Sequence, residues 1–164
     1  MGTIIDKETV AKYLDAMCDA FLLYKVPRYD IRGQALLQTL NKYYLVDPGF
    51  RKVKLRRDMN KGISHWLENL VYFELLRRNR EVFVGQINGK EVDFVVTNNN
   101  GYTIYYQVAW TTFDAETLER ELASLIAIKD SNQKYLLTTD IDDNPTFEGI
   151  RKLNVADWLL QPEL

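Results

Sequence analysis

The sequence predicts an α/β fold in which helices flank one mixed β-sheet. Along residues 62–140, apolar residues recur first at helical spacing, then in three short strand-like runs, and then again at helical spacing before a further strand. Hydrophobic residues make up 46% of the 164 residues and charged residues 27%, which are ordinary proportions for a folded domain. We therefore expect a helix, a three-strand meander, a helix and a strand as the central unit.

The first part of the chain predicts a helix followed by a β-hairpin. Apolar residues recur at helical spacing from Asp6, the predicted N-cap, to Phe21. Alternation over residues 22–29 predicts an edge strand, because Pro27 cannot donate to a central ladder. A turn at Arg32-Gly33 precedes the second apolar run, KYYLV. A helix before a hairpin is typical of a winged-helix unit that lacks its first helices.

A basic stretch marks the predicted boundary between two domains. Turn residues at 47–49 lead into RKVKLRRDMNK, and a strongly apolar segment follows Gly62. We expect residues 1–50 to form a partial winged-helix-like segment and residues 51–164 to form the α/β domain. Five of its six cations are the predicted nucleic-acid contacts: Arg51, Lys52, Lys54, Arg56 and Arg57.

The second region contains a clear series of elements. A helix is predicted from Gly62 to Arg78, with basic residues at its negative end. The strand-like runs EVFVGQI and EVDFVVT are separated by Asn88-Gly89, and Asn-Gly is the dipeptide most typical of a tight hairpin. The run YTIYYQVAW predicts a third strand. A second helix is predicted from Asp114 to Lys129. The strand KYLLTTD, the strand-like IRKLNV and the helical turn ADWLL complete the order.

Composition excludes several classes of protein. One cysteine, Cys18, and one histidine, His65, cannot form an internal disulfide or a four-ligand zinc site. No apolar run approaches the roughly 20 residues of a membrane-spanning helix, and the start does not resemble a secretory leader. The motif G-x-x-x-x-G-K-[ST] is absent, so ATP hydrolysis is not assigned to these residues. We expect a cytoplasmic protein without membrane insertion.

The net charge of −2 conceals an asymmetry between the halves. Residues 1–80 hold 15 Lys and Arg against 9 Asp and Glu, whereas residues 81–164 hold 6 against 14. This distribution is compatible with a basic face that meets a polyanion and equally with solvated surface charge. A pI near 5.5 argues against strong non-specific binding of nucleic acid.

Three polar side chains lie at particular places in this order of elements: Glu68 in the first predicted helix of the α/β domain, Asp93 in EVDF and Gln107 in YYQVAW. With these side chains the chain resembles the PD-(D/E)xK nuclease superfamily, whose common core has the same order of elements. The resemblance implies that such acids hold a divalent cation and that a lysine two residues after the third ligand assists the attacking water. Oxygen ligands of this kind suit Mg²⁺, which lowers the pKa of bound water.

The sequence departs from that pattern at two positions. Gln107 offers an amide where a nuclease often has an acid, and residue 109, where the lysine is expected, is Ala109. Both departures weaken metal binding and stabilisation of the transition state, so we assign no metal to the site and expect it to be catalytically degenerate. Mg²⁺ becomes the implied cofactor only if the site is active.

Each of these residues also has a structural interpretation. Asp93 in an apolar strand is either a site residue or one half of a buried ion pair. For Glu68 the site and structural interpretations are equally favoured. The amide of Gln107 is also compatible with a structural role in which it bonds the backbone. His65 is more typical of a histidine at the surface or in helix packing.

A resemblance that covers nearly the whole chain is carried by several motifs in order. They are VAKYLDAMCDAFLLYKVPRYDIRG, KYYLVDPGFR, LENLVYFELLRRN, VFVGQINGKEVDFVV and YYQVAW. These strings resemble the C-terminal domain of unknown function in predicted AAA-type ATPases of bacteria and archaea. The resemblance implies a divergent PD-(D/E)xK fold, an N-terminal ATPase module as partner, and a chain that is a C-terminal fragment or a stand-alone descendant.

Three functions follow as alternatives. The first is a catalytically degenerate nuclease-like module that recognises DNA or a partner for an attached ATPase. The second is an active Mg²⁺-dependent nuclease in which Lys90, beside Glu91 and Asp93, or Arg120 replaces the missing lysine. The third is a protein-interaction or homo-oligomerisation module without a nucleic-acid role, which ten tyrosines, three tryptophans and an acidic second half favour.

Overall fold

The fold is a mixed sheet of eight described strands with helices packed on its two faces. The computed structural model describes residues 6–47, 49, 62–79, 81–98, 100–143 and 145–161. The helices are α1 (Lys7–Asp19), α2 (Ile63–Arg78), α3 (Ala115–Ile126) and α4 (Val155–Leu160). The strands are β1 (Leu23–Asp30), β2 (Ala35–Leu45), β3 (Glu81–Ile87), β4 (Lys90–Thr97), β5 (Thr103–Val108), β6 (Gln133–Thr138), β7 (Thr146–Phe147) and β8 (Ile150–Asn154).

The strand order is β2-β1-β3-β4-β5-β6-β8-β7. The meander β3-β4-β5 is antiparallel, and β5, β6 and β8 run parallel to one another. Helix α3 forms the crossover that the parallel pairing of β5 with β6 requires. The predicted helix, three strands, helix and strand of the central unit are therefore confirmed as one mixed sheet flanked by helices.

The N-terminal hairpin belongs to the same sheet. Strand β1 pairs antiparallel with β2 and parallel with β3, with Arg28 opposite Val84. The prediction that β1 is an edge strand is wrong, because β2 occupies the edge and β1 lies inside it. Proline is tolerated there since the β1–β2 register shifts between Val26 and Arg28, and a bulge at Pro27 needs no ladder donor. The division into domains at residue 50 stays a prediction.

Local capping signals fix two helix starts as the sequence predicts. The carboxylate of Asp6 accepts a hydrogen bond from the backbone N–H of Thr9 at 2.7 Å, and that of Asp114 accepts one from Thr117 at 2.9 Å. Helix α3 ends at Ile126, three residues before the predicted end at Lys129. The chain tightens there, because the backbone N–H of Ile128 donates to the carbonyl three residues back rather than four.

Each face of the sheet has its own apolar cluster. On one face, Val71, Leu75 and Tyr72 of α2 pack with Phe94 and with Trp158 of α4. On the other face, Leu122 and Leu125 of α3 pack with Val92, Val95 and Ala109. We call these faces the α2 face and the α3 face.

A β-bulge in β4 changes which face its residues occupy. Phe83 pairs with Val95, but Gly85, two residues further along β3, pairs with Val92, three residues back along β4. The extra residue lets Val92 and Val95 both lie on the α3 face, while Phe94 lies on the α2 face. Gly85 is required opposite the bulge, since a Cβ there would lie 2.7 Å from Val95 Cγ2 and 2.9 Å from Val92 Cβ.

A buried ion pair holds the loops that follow β5 and β6. Asp140 accepts hydrogen bonds from the Thr111 hydroxyl and from the backbone N–H of Thr112, and its carboxylate lies 2.8 Å from the Lys152 ammonium. Asp142 also pairs with Lys152. Burial opposes ionisation, but hydrogen bonds from Lys152, Thr111 and Thr112 lower the pKa of Asp140 from 3.8 to about 2.

Among the described helices, none combines the length and apolar character that crossing a bilayer requires.

We expect Gly85→Ala to lower the free energy of unfolding by about 1 to 3 kcal/mol, because the added methyl overpacks the bulge. Chemical denaturation measures the change. Glu81→Ala, at an exposed position of the same strand, is the matched control and should leave stability nearly unchanged. Equal stabilities for the two variants would contradict the close packing at Gly85.

Asp140 should make stability depend on pH in acid. Its folded-state pKa lies below the ordinary value, so its contribution is present above about pH 4 and is lost as pH falls towards about 2. Asp140→Asn should lower stability at neutral pH and flatten this part of the profile, measured by denaturant unfolding between pH 7 and pH 2. Asp143→Asn, at an exposed position of the same loop, should keep the wild-type profile.

Candidate functional site

Carboxylates from α2 and β4 meet a cation from β2 at one end of the sheet. The Lys42 ammonium lies 2.5 Å from Glu68 Oε1, 2.7 Å from Glu91 Oε1 and 4.0 Å from Asp93 Oδ1. We call these four side chains the Lys42 cluster. Burial alone would lower the pKa of Lys42, but the carboxylates of Glu68 and Asp93 outweigh it and raise that pKa above its usual value. The lysine is therefore a fixed positive charge.

Glu91 forms the outer side of the cluster. It accepts a hydrogen bond from Lys42 and another from Arg28 Nη1 at 2.6 Å, and its side chain is about a third exposed. Burial favours the neutral acid, but these two cations lower the pKa of Glu91. The β1–β2 hairpin thus contributes both cations, and the α/β unit contributes the acids that they neutralise.

Glu68 forms the inner side of the cluster. It is 7% exposed, on the side of α2 that faces the sheet. The hydroxyl of Tyr44 donates to Glu68 Oε1 at 2.7 Å, and His65 Nδ1 lies 3.5 Å from Glu68 Oε2. Burial and the nearby carboxylate raise the pKa of Tyr44, so its hydroxyl remains a donor. Tyr44 also stacks on Tyr72 with 4.3 Å between ring centroids, which holds the donor in place.

Asp93 is buried to nearly the same degree as Glu68. It is 8% exposed, and its Oδ2 accepts a hydrogen bond from the backbone N–H of Val108 at 2.8 Å. Burial and the charge of Glu68 raise the pKa of Asp93 well above 3.8, although Lys42 and the Val108 N–H oppose the shift. The β4 bulge places this carboxylate beside Lys42 and Glu68 on the α2 face. The structure thus brings Glu68 and Asp93 together.

Gln107 lies next to Asp93 along the sheet but points to the opposite face. Its Nε2 donates to Glu121 of α3 at 3.0 Å, and its Oε1 accepts from the Ser124 hydroxyl at 3.2 Å and from the backbone N–H of Asp93 at 3.3 Å. The amide is therefore engaged by α3 and by the backbone, and it does not reach the Glu68 and Asp93 carboxylates. Its predicted role stays a prediction.

Ala109 is buried on the α3 face with Leu122 and Leu125. A lysine at this position would place its stem among these apolar side chains, on the side of the sheet away from Asp93. The replacements considered from sequence also lie elsewhere. Lys90 and Arg120 line an open groove of about 580 Å³ beside α3, and Arg120 pairs with Glu121.

The remaining sequence-predicted residues fall into two groups. His65 is 69% exposed at the side-chain level and touches the cluster only through Glu68. The basic residues Arg51, Lys52, Lys54, Arg56 and Arg57 lie outside the described residues, so their role as nucleic-acid contacts stays a prediction.

Sequence reasoning missed Lys42 and Tyr44. Both lie in the run KYYLV, where their alternation indicates only that they share one side of a strand. Lys42 is 26 residues from Glu68 and 51 from Asp93 in the chain, and no local pattern joins such positions. The one sequence signal for such a cation was the acid in the apolar strand, because a buried Asp93 requires a partner. The sequence does not show which residue that partner is.

The Lys42 cluster has the groups of a cation or phosphate site but not an arranged set of metal ligands. Over the described part of the chain, no three His, Cys, Asp or Glu side chains come together as ligands for a metal ion. A cavity of about 170 Å³ opens beside Lys42 and Glu68 and is bordered by His65 and Trp66 at the start of α2. The cluster is thus accessible from solvent along the start of this helix.

Comparison with known proteins gives two relatives and one solved structure. No family model matches the chain. An uncharacterized protein of Haemophilus influenzae is 39% identical over 153 residues, which cover 93% of this chain and 37% of that protein. An uncharacterized protein of Methanocaldococcus jannaschii is 31% identical over 161 residues, covering 95% and 34% respectively. The chain therefore spans about a third of the length of these relatives.

The solved structure is that of a repair endonuclease from Pyrococcus abyssi, with 12% sequence identity and a TM-score of 0.34 over 92% of this chain and 96% of that one. A likeness at this level does not establish a shared fold or function.

We expect Tyr44→Phe to lower the free energy of unfolding by about 1 to 3 kcal/mol, because the variant cannot form the buried hydrogen bond to a charged carboxylate. Tyr43→Phe, its neighbour on β2, is the control for removal of a hydroxyl. Thermal and chemical denaturation measure both variants. A Tyr44→Phe protein as stable as the Tyr43→Phe protein would show that the hydrogen bond to Glu68 contributes nothing.

Proposed function

We propose that the chain is a PD-(D/E)xK nuclease-like module that has lost catalysis and recognises DNA or a protein partner. The order helix, three-strand meander, helix, strand supports the nuclease-like part, as does the meeting of Glu68 and Asp93 at one end of the sheet. These are the two acids that such nucleases use to hold a divalent cation.

The orientation of Gln107 is the observation that supports the loss of catalysis. Gln107 faces α3 and bonds Glu121, so it cannot complete a ligand set with Glu68 and Asp93. Ala109 supplies a methyl group in the apolar cluster of the α3 face. Mg²⁺ needs oxygen ligands in near-octahedral geometry, and hydrolysis of a phosphodiester needs stabilisation of developing charge. Gln107 therefore does not serve the cluster as a ligand, and position 109 supplies no lysine.

Recognition of DNA rests on charge. The first half of the chain carries the excess of cations, and the basic stretch at residues 51–57 is the densest part of it. Binding to phosphates needs no metal and no catalytic residue, so a degenerate module retains this capacity.

The association with an ATPase module and the winged-helix character of residues 1–50 belong to the same proposal. About two thirds of each relative lies beyond the matched part, which leaves room for a further module in those proteins. A co-expressed ATPase region that co-purifies with this chain would support the association.

A protein-interaction module is the second function, and a specific surface favours it. Helix α1 has no buried residue, and its apolar side chains Val10, Tyr13 and Met17 are exposed, as is Phe21 beyond its end. An apolar helix face of this kind is typical of a binding or self-association surface. Light scattering distinguishes a monomer from a homo-oligomer that covers this face.

We expect the unmodified chain to bind neither Mg²⁺ nor Mn²⁺ tightly and to leave supercoiled plasmid uncut, because the ligand set is incomplete. Isothermal titration and a plasmid-nicking assay measure the two properties. Micromolar metal affinity together with cleavage that Asp93→Ala abolishes would establish an active Mg²⁺-dependent nuclease instead.

We expect DNA affinity, and the dependence of that affinity on salt, to reside in the basic stretch. Replacing Arg51, Lys52, Lys54, Arg56 and Arg57 by glutamine should reduce affinity and lower the slope of log K against log salt by about 0.9 for each phosphate that the variant no longer neutralises. Lys129→Gln, in the acidic half, is a single-charge control. An unchanged slope would favour the interaction module.

A further inference from the structure

We propose that Lys42 is a built-in counter-ion that keeps divalent cations out of the carboxylate cluster. A neutral residue at this position would open a divalent-cation site formed by Glu68, Glu91 and Asp93. This role of Lys42 rests on the proposed function, because it requires that the unmodified chain does not bind a metal ion tightly.

The position of the ammonium is the first support. Lys42 Nζ lies 2.5 Å from Glu68 Oε1 and 2.7 Å from Glu91 Oε1, with Asp93 Oδ1 on a third side at 4.0 Å. A divalent cation that bridged the same acids would have to occupy the same space. The positive charge of Lys42 would also repel it at close range, where Coulomb energies in a partly buried site are several times larger than in water.

Lys42 is held in this position by the fold. Its side chain is only 22% exposed, and it extends from a strand that β1 joins to the body of the sheet. Arg28 binds the far side of Glu91, and the Tyr44 hydroxyl binds the oxygen of Glu68 that also pairs with Lys42. The ammonium is therefore not a flexible surface charge that a cation could displace at little cost.

The acids would remain in place without the lysine. Glu68 keeps its bond from Tyr44, and Asp93 keeps its bond from the Val108 N–H. Glu91 keeps its ion pair with Arg28, so the three carboxylates together carry an excess of negative charge, which favours a divalent ion with oxygen ligands. As the described residues now stand around the ammonium, the three acids do not form a set of metal ligands. They must therefore close around the ion in the variant, and Asp93 Oδ1, which lies 4.0 Å from the ammonium, must move the furthest.

The test uses the full chain with Lys42→Met, which keeps an unbranched stem of similar length. Mn²⁺ binding is measured by isothermal titration, and Tb³⁺ binding by luminescence that the Tyr44 ring sensitises. We expect Lys42→Met to bind Mn²⁺ about a hundredfold tighter than the unmodified chain, since a unit charge next to the ion is removed. Tyrosine-sensitised Tb³⁺ emission should appear only in this variant.

Lys25→Met is the matched control, because Lys25 lies on the same hairpin and forms an exposed ion pair with Asp15. It should bind metal no better than the unmodified chain. The double variant Lys42→Met/Glu68→Gln removes one ligand and should lose most of the gained affinity. Equal Mn²⁺ affinity in Lys42→Met and Lys25→Met would overturn the proposal.

Loss of a buried partner lowers stability, so folding is followed by circular dichroism with and without Mn²⁺. If Lys42→Met is unfolded alone, refolding on addition of millimolar Mn²⁺ supports the proposal, and failure to refold contradicts it. Tight Mn²⁺ binding with DNA cleavage by the unmodified chain would refute the proposed function as well. No gain in Lys42→Met, with an inactive unmodified chain, would refute only the role of Lys42.

Discussion

Carboxylates crowded at one end of the sheet impose the main constraint on this molecule. Glu68 and Asp93 are both buried, and burial together with the charge of Glu68 raises the cost of ionising Asp93. Lys42 relieves that cost from a strand that lies far away in the chain. The hairpin must therefore pack against the α/β unit, with β1 parallel to β3, for the acids to have their cation. Glu91 and Arg28 extend the same neutralisation to the rim of the cluster.

Much of the fold could be predicted from the sequence because its signals are local. The capping carboxylates of Asp6 and Asp114, the turn at Asn88-Gly89, the apolar run of α2 and the apolar stripe of α3 are each local signals in the sequence. The position of β1 was not predictable in the same way. Parallel pairing of Arg28 with Val84 joins residues 56 positions apart, and Pro27 suggested an edge because the bulge that accommodates it is set by the partner strand.

The site was predictable in part for the same reason. A buried acid in an apolar strand singled out Asp93, and the helix preceding the meander singled out Glu68. Which face of the sheet each side chain occupies depends on the β4 bulge, which reverses the alternation between Val92 and Val95. That reversal separates the carboxylate of Asp93 from the amide of Gln107, although the two residues lie on neighbouring strands. The role of Lys42 could not be predicted, because a cation on one strand gives no sign of which distant acid it neutralises.

The parallel pairing of β1 with β3 also bears on how the chain reaches its folded state. A pairing across more than 50 residues forms late when the intervening chain must first be ordered, and folding slows as such non-local pairings accumulate. Until the hairpin pairs with β3, Glu68 and Asp93 would repel each other without a neutralising partner. A partly formed sheet that lacks the hairpin therefore gains little stability. This coupling ties the hairpin and the α/β unit into one cooperative transition, and it disfavours intermediates in which the meander is complete but the edge of β3 is uncovered.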